Sequence, residues 1–180
     1  MASRHGNILK RSHTCLRIET VRALHDMLEE FRVVHVRGTP ASGKTTLADL
    51  LESYYKNLGD TVIMVPPWER NPILPIQRLI EIGKGQGCRL SHTLREWNVV
   101  LIFDEAQISF HDKQLWLNII KTQSGSSEGP RICIFSSYGS PSTGPVDYPL
   151  GSTPVRFAPG QQVSTIPSPN LPSSPHLFYT

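Results

Sequence analysis

The chain is 180 residues long, with a net charge of +3 and 38% hydrophobic residues. That is enough for one domain with a sizeable core, and too mild a basic excess to announce a nucleic-acid binder, although nucleic acid is not excluded. No apolar run reaches the length of a membrane span, so no membrane partner is expected, and the amino terminus lacks the apolar core of a secretory signal. Three widely spaced cysteines, Cys15, Cys88 and Cys133, fit reduced thiols and an intracellular setting, cytoplasmic or nuclear.

Residues 1–17 carry Arg4, Lys10, Arg11 and Arg17 with no acid before Glu19, and read as a basic, flexible arm. From Thr20, a candidate N-cap, Val21, Leu24, Met27, Leu28 and Phe31 recur at helical spacing. A strand of β-branched residues follows and runs into Gly38-Thr39-Pro40-Ala41-Ser42-Gly43-Lys44-Thr45-Thr46. Gly38, Gly43, Lys44 and Thr45 match the G-x-x-x-x-G-K-[ST] phosphate-binding loop. Glycines permit the turn and the close backbone approach, and the amides from Ala41 through Ser42 and Gly43 to Thr46 can face phosphate oxygens. The following helix offers its free N–H groups and positive dipole end to the anion. Lys44 can reach the β/γ-phosphates, and the Thr45 hydroxyl can ligate Mg²⁺. The implied ligands are a nucleoside triphosphate, expected to be ATP although the loop leaves the base open, and Mg²⁺.

That helix closes at Gly59, and Thr61 to Val65 supply a second strand, stopped by Pro66-Pro67. Trp68 then stands where it can either stack on a base or cap the core. Ile73 to Ile82 reads as a helix, residues 83–87 as a flexible glycine connection, and Ser91 to Trp97 as a short helix with Thr93 and Glu96 spaced as a capping box. Asn98 to Gln107 is an unbroken apolar strand that leaves the sheet at Asp104-Glu105. This has the form of a Walker B element, with Asp104 holding the metal and Glu105 acting as general base on water. Asp112 caps a helix whose apolar face is Leu115, Trp116, Ile119 and Ile120. Arg131 to Phe135 is a further buried strand, ending in Ser136-Ser137, where a hydroxyl, assigned to Ser137, can sense a γ-phosphate. Nine of the 15 prolines follow Gly139, and only Gln161 to Ile166 in that region reads as a strand.

These blocks, together with Phe135-Ser136-Ser137-Tyr138-Gly139-Ser140-Pro141 and the segment from Thr153-Pro154 to Gln161-Gln162-Val163-Ser164, resemble the P-loop ATPase domain of fungal Crinkler-type proteins. The resemblance implies an ATPase related to AAA+ and STAND proteins, with an added strand between the P-loop and Walker B strands. It also implies a further C-terminal effector region. The expected fold is α/β, a three-layer sandwich with a mostly parallel sheet, built from residues 18–166 and followed by a Pro-rich tail, or the start of a missing C-terminal region, at 167–180. The expected function is ATP binding with Mg²⁺-dependent hydrolysis that drives a conformational switch, with self-association where a lid is lacking. Two alternatives stay open: a nucleotide-dependent interaction module that does not hydrolyse, and a small-molecule kinase.

Overall fold

The computed structural model describes residues 6–137, 153–164 and 178–179. Its elements in chain order are α1 (Gly6–Phe31), β1 (Val33–Gly38), α2 (Lys44–Leu58), β2 (Thr61–Val65), α3 (Pro75–Gly85), β3 (Val99–Phe103), a π-helical turn (Leu115–Ile120) running into α4 (Lys121–Gln123), β4 (Arg131–Ser137), β5 (Gln162–Ser164) and β6 (Phe178–Tyr179). The sheet order is β2-β3-β4-β1-β5-β6. The first five of these strands are parallel, and β6 joins the β5 edge antiparallel. Strand β4 lies between β1 and β3, so the strand before the glycine turn and the strand ending in the acidic pair are separated by one inserted strand.

Three layers form because the strands are apolar on both faces. On one face Val34, Val36, Val100, Ile102, Cys133 and Phe135 meet α1 (Val21, Leu24, Leu28) and α2 (Leu47, Leu51, Tyr55). On the other, Val33, Ile63, Leu101, Ile132 and Ile134 meet α3 through Leu79 and the π-helical turn through Leu115, Trp116, Ile119 and Ile120. Each such fully buried side chain contributes roughly 1.5–3 kcal/mol relative to exposure. The four apolar positions expected after Asp112 are all buried, and Asp112 Oδ1 accepts the Leu115 N–H at 3.0 Å as the cap.

Several local expectations are corrected. Helix α1 begins at Gly6, so Thr20 lies inside it and is not its cap. Phe31 closes α1, with Arg32 at φ 61° turning the chain into β1. Residues 83–85 continue α3, because Gly83 lets the helix close on Ile63 and Leu90, whose atoms stand 3.2 and 3.0 Å from where a Cβ would be. The capping box at Thr93 and Glu96 does not form. Leu94–Glu96 is a single 3₁₀ turn without a side-chain cap, and the Thr93 N–H is held by Ser91 Oγ at 3.2 Å. Residues 138–152, 165–177 and 180, which include Tyr138-Gly139 and all of the Pro-rich tail at 167–180 except 178–179, lie outside the described residues.

The amino-terminal edge of the sheet is closed by one cation. Arg131, at the start of β4, donates to Glu29 Oε1 from α1 and to Asp60 Oδ1 ahead of β2, both at 2.6 Å. Its guanidinium also lies 5.2 Å from the centre of the Tyr55 ring. At the far side of the sheet, Gln86 clamps the free edge of β2. Its Oε1 accepts the Met64 N–H at 3.1 Å and its Nε2 donates to the Met64 carbonyl at 2.7 Å.

Candidate functional site

Parallel strands deliver their carboxyl ends to one edge, where open α/β sheets bind ligands. Here β1 ends at Gly38 beside Ser137 of β4, and β3 leads out to Asp104 and Glu105 on the other side of β4. The turn after β1 requires two left-handed residues, Ala41 at φ 60° and Gly43 at φ 81°. Gly43 is the N-cap of α2 and, having no side chain, makes no side-chain cap hydrogen bond to the first-turn N–H groups of that helix. An anion suits that position, since it meets both the free donors and the positive dipole end. Thr45 and Thr46 are exposed at this mouth.

Lys44 is 4% exposed, and its Nζ folds back over the loop, donating to the Thr39 carbonyl at 2.7 Å, with the Gly38 carbonyl and Ser42 Oγ each at 3.4 Å. Burial lowers its pKa from the usual lysine value. The carboxylates of Glu105 and Asp104 act in the opposite sense, which shows that the two acids expected after β3 lie within electrostatic reach of the loop lysine. Glu105 adopts φ 51°, a left-handed conformation unusual for a side-chain-bearing residue, and its N–H is held by Asp104 Oδ1 at 3.0 Å. Among the described residues no group of three or more His, Cys, Asp or Glu side chains forms a metal cluster. Oxygen-bearing side chains near this edge include Thr45 at the start of α2 and Asp104 and Glu105 after β3, and Mg²⁺ is usually held by one or two protein oxygens with phosphate oxygens and water completing the shell.

The two serines at the end of β4 separate by strand alternation. Ser136 is buried and its Oγ lies 2.7 Å from Nε2 of the buried His35 of β1, so it belongs to the core. Ser137 is half-buried and turns to the edge. Trp68 is 2% exposed, donates through Nε1 to Asp112 Oδ2 at 2.8 Å, and carries the Arg78 guanidinium 4.1 Å above its ring. It caps the core and is not free to stack on a base. A cleft of about 420 Å³ opens at the loops after β2 and β3, with Arg70, His111 and Lys113 in its wall.

Two residues at this site were not singled out by sequence reasoning. Arg17, expected in a flexible arm, reaches the glycine turn after β1 from α1. Its Nη1 donates to the Gly43 carbonyl at 3.3 Å, and its Nη2 lies 2.6 Å from where a Cβ on Gly43 would be. Gln107 donates to Glu105 Oε2 and accepts the Ser137 N–H at 3.0 Å. Its place two residues after the acidic pair was the available signal.

Against known proteins, no protein-family model and no curated protein matches the chain. It is similar in structure to C. elegans PCH-2. The match has a TM-score of 0.45 and 15% sequence identity, and it covers 71% of this chain and 39% of that one. The chain therefore spans about two fifths of the length of that structure. Among the described residues no helix is long and apolar enough to cross a membrane.

Proposed function

We propose that the chain binds Mg·ATP at the carboxyl edge of its sheet and hydrolyses it, as the ATPase module of a protein that converts turnover into a conformational change. The observation that carries this reading is the convergence on one edge of an uncapped helix N-terminus after a left-handed glycine turn, a buried lysine, and two carboxylates that act on that lysine. In this reading Gly38, Ala41, Ser42, Gly43, Thr45 and Thr46 line the phosphate path. Lys44 exchanges its carbonyl partners for the β/γ-phosphates, and Thr45 and Asp104 would hold Mg²⁺. The metal, when bound, offsets charge on the phosphate oxygens. Glu105 takes a proton from water as the water oxygen bonds to the γ-phosphorus and the bond to the β-γ bridging oxygen breaks, leaving ADP and phosphate. Ser137 stands where the γ-phosphate is sensed. The Crinkler-type resemblance rests on the sequence blocks quoted above.

Calorimetry and phosphate release test this together. Lys44→Ala should abolish measurable Mg·ATP binding in a folded protein, because it removes the cation from the phosphates. Glu105→Gln should retain Mg·ATP while turnover falls about 10²-fold or more, the usual share of a positioned base. Full affinity in Lys44→Ala refutes the site. Equal turnover by wild type and Glu105→Gln removes Glu105 from the chemistry, and binding without any turnover leaves the non-hydrolysing module. Phosphate release in the absence of any acceptor separates hydrolysis from the kinase alternative.

A further inference from the structure

Strand β4 sits between the two halves of the candidate site, and its last backbone donor is not spent on the sheet. The Ser137 N–H points at Gln107 Oε1, 3.0 Å away. An amide has one acceptor end and one donor end, so the Ser137 bond fixes which way round Gln107 stands and turns Nε2 toward the acidic pair. There Nε2 donates to Glu105 Oε2. Glu105 itself is held from behind, its N–H bound by Asp104 Oδ1 at 3.0 Å and its backbone at φ 51°. With the backbone pinned and one carboxylate oxygen occupied, Oε1 remains to meet a substrate.

We propose that Gln107 is a positioning residue that ties the general base Glu105 to the end of β4, so that a displacement at Ser137 is passed to the carboxylate that activates water. This rests on the hydrolytic reading above for the role of Glu105, but the tie itself is a separate claim. A general base contributes only when it is within hydrogen-bond reach of the proton it takes, and a misplacement of about 1 Å can cost 10²-fold. Gln107 controls that placement through two bonds of opposite polarity, and substitution can separate them. Glu at this position can still accept the Ser137 N–H but has no hydrogen to give to Glu105. Ala can do neither.

The experiment uses the full chain as wild type, Gln107→Ala and Gln107→Glu. It measures Mg·ATP affinity by calorimetry, kcat and KM by phosphate release, and exchange of the Ser137 amide by NMR. Gln107→Ala should lose about 10²-fold in kcat with affinity within about threefold of wild type, and its Ser137 amide should exchange faster. Gln107→Glu should keep the Ser137 amide protected and yet lose as much in kcat as Gln107→Ala. A Gln107→Glu chain that turns over like wild type overturns the proposal, as does a loss of kcat matched by an equal loss of affinity, which would mark general damage to the site. If wild type binds Mg·ATP without turnover, the hydrolytic reading and the relay to a general base both fail. Ser137 amide protection then reports only whether the tie exists, and unchanged exchange in Gln107→Ala removes that as well.

Discussion

The two ends of strand β4 solve opposite problems. At its start Arg131 is buried with both terminal nitrogens of its guanidinium donating to carboxylates, Glu29 and Asp60 at 2.6 Å each. At its end, and at the turn beside it, the backbone is left-handed at Ala41, Gly43 and Glu105, helix donors lack a side-chain cap, and the Lys44 ammonium sits on carbonyl oxygens. One edge is closed and satisfied. The other holds strain and unmet polarity, which persist only where the surrounding fold over-determines them. The difference teaches where stability and chemistry are stored: the closed edge fixes the strands so that the open edge can keep geometry that is costly locally.

The sharpest way to break this contrast is at the closed edge. Arg131→Met leaves Glu29 and Asp60 without their shared cation, and because both carboxylates reach solvent the chain should lose about 2 kcal/mol of unfolding free energy in urea titrations. Mg·ATP affinity at the opposite edge should stay within about threefold of wild type. A comparable loss of affinity would show that the two edges are not separable.

At the open edge, Gly43→Ala puts a Cβ on a residue at φ 81° and within 2.6 Å of Arg17 Nη2. The left-handed strain is on the order of 1–2 kcal/mol. Its expected outcome is a fall in Mg·ATP affinity of about tenfold, because the helix amides turn away from the phosphates, with the melting temperature changed less than in Arg131→Met. Unchanged affinity by calorimetry would mean the turn is not the phosphate cradle.

Between the edges lies His35, whose pKa is lowered to about 3, first by burial and then by Arg37. Above the ordinary histidine value near 6.5 it is neutral folded or unfolded. Below that the unfolded chain takes up a proton the native chain refuses, so stability is lost as pH falls from about 6.5 toward about 3. At pH 5.5 the loss should be roughly 1.4 kcal/mol relative to pH 7.5. Urea midpoints measured at the two pH values for wild type and His35→Gln check it: the variant should show a smaller drop.

Most of the framework was legible because it is written locally. The apolar runs of β3 and β4, the 3.6-residue spacing of Leu47, Leu51 and Tyr55, and the glycine at φ 89° after α2 each declare themselves within a dozen residues. The glycine loop and the acidic pair were legible for the same reason. What escaped depends on contacts between distant residues. His35 sits inside a strand of apolar residues and carries no local signal, since its role depends on Ser136, 101 residues later. Arg17 looked like part of a solvated end because its partner, Gly43, is 26 residues away. Gln107 sits beside the acidic pair in sequence, but its meaning comes from a backbone donor 30 residues on.

The Gln86 side chain has a consequence for how copies of this protein meet. Strand β2 is the outermost parallel strand, and a bare strand edge recruits other chains. Gln86 presents Met64 with an acceptor and a donor in the places where a neighbouring strand would put its own carbonyl and amide. The amide acts as a one-residue counterfeit of the next strand. A second molecule approaching this side must displace it before it can extend the sheet, so growth by strand addition is obstructed here by a single side chain.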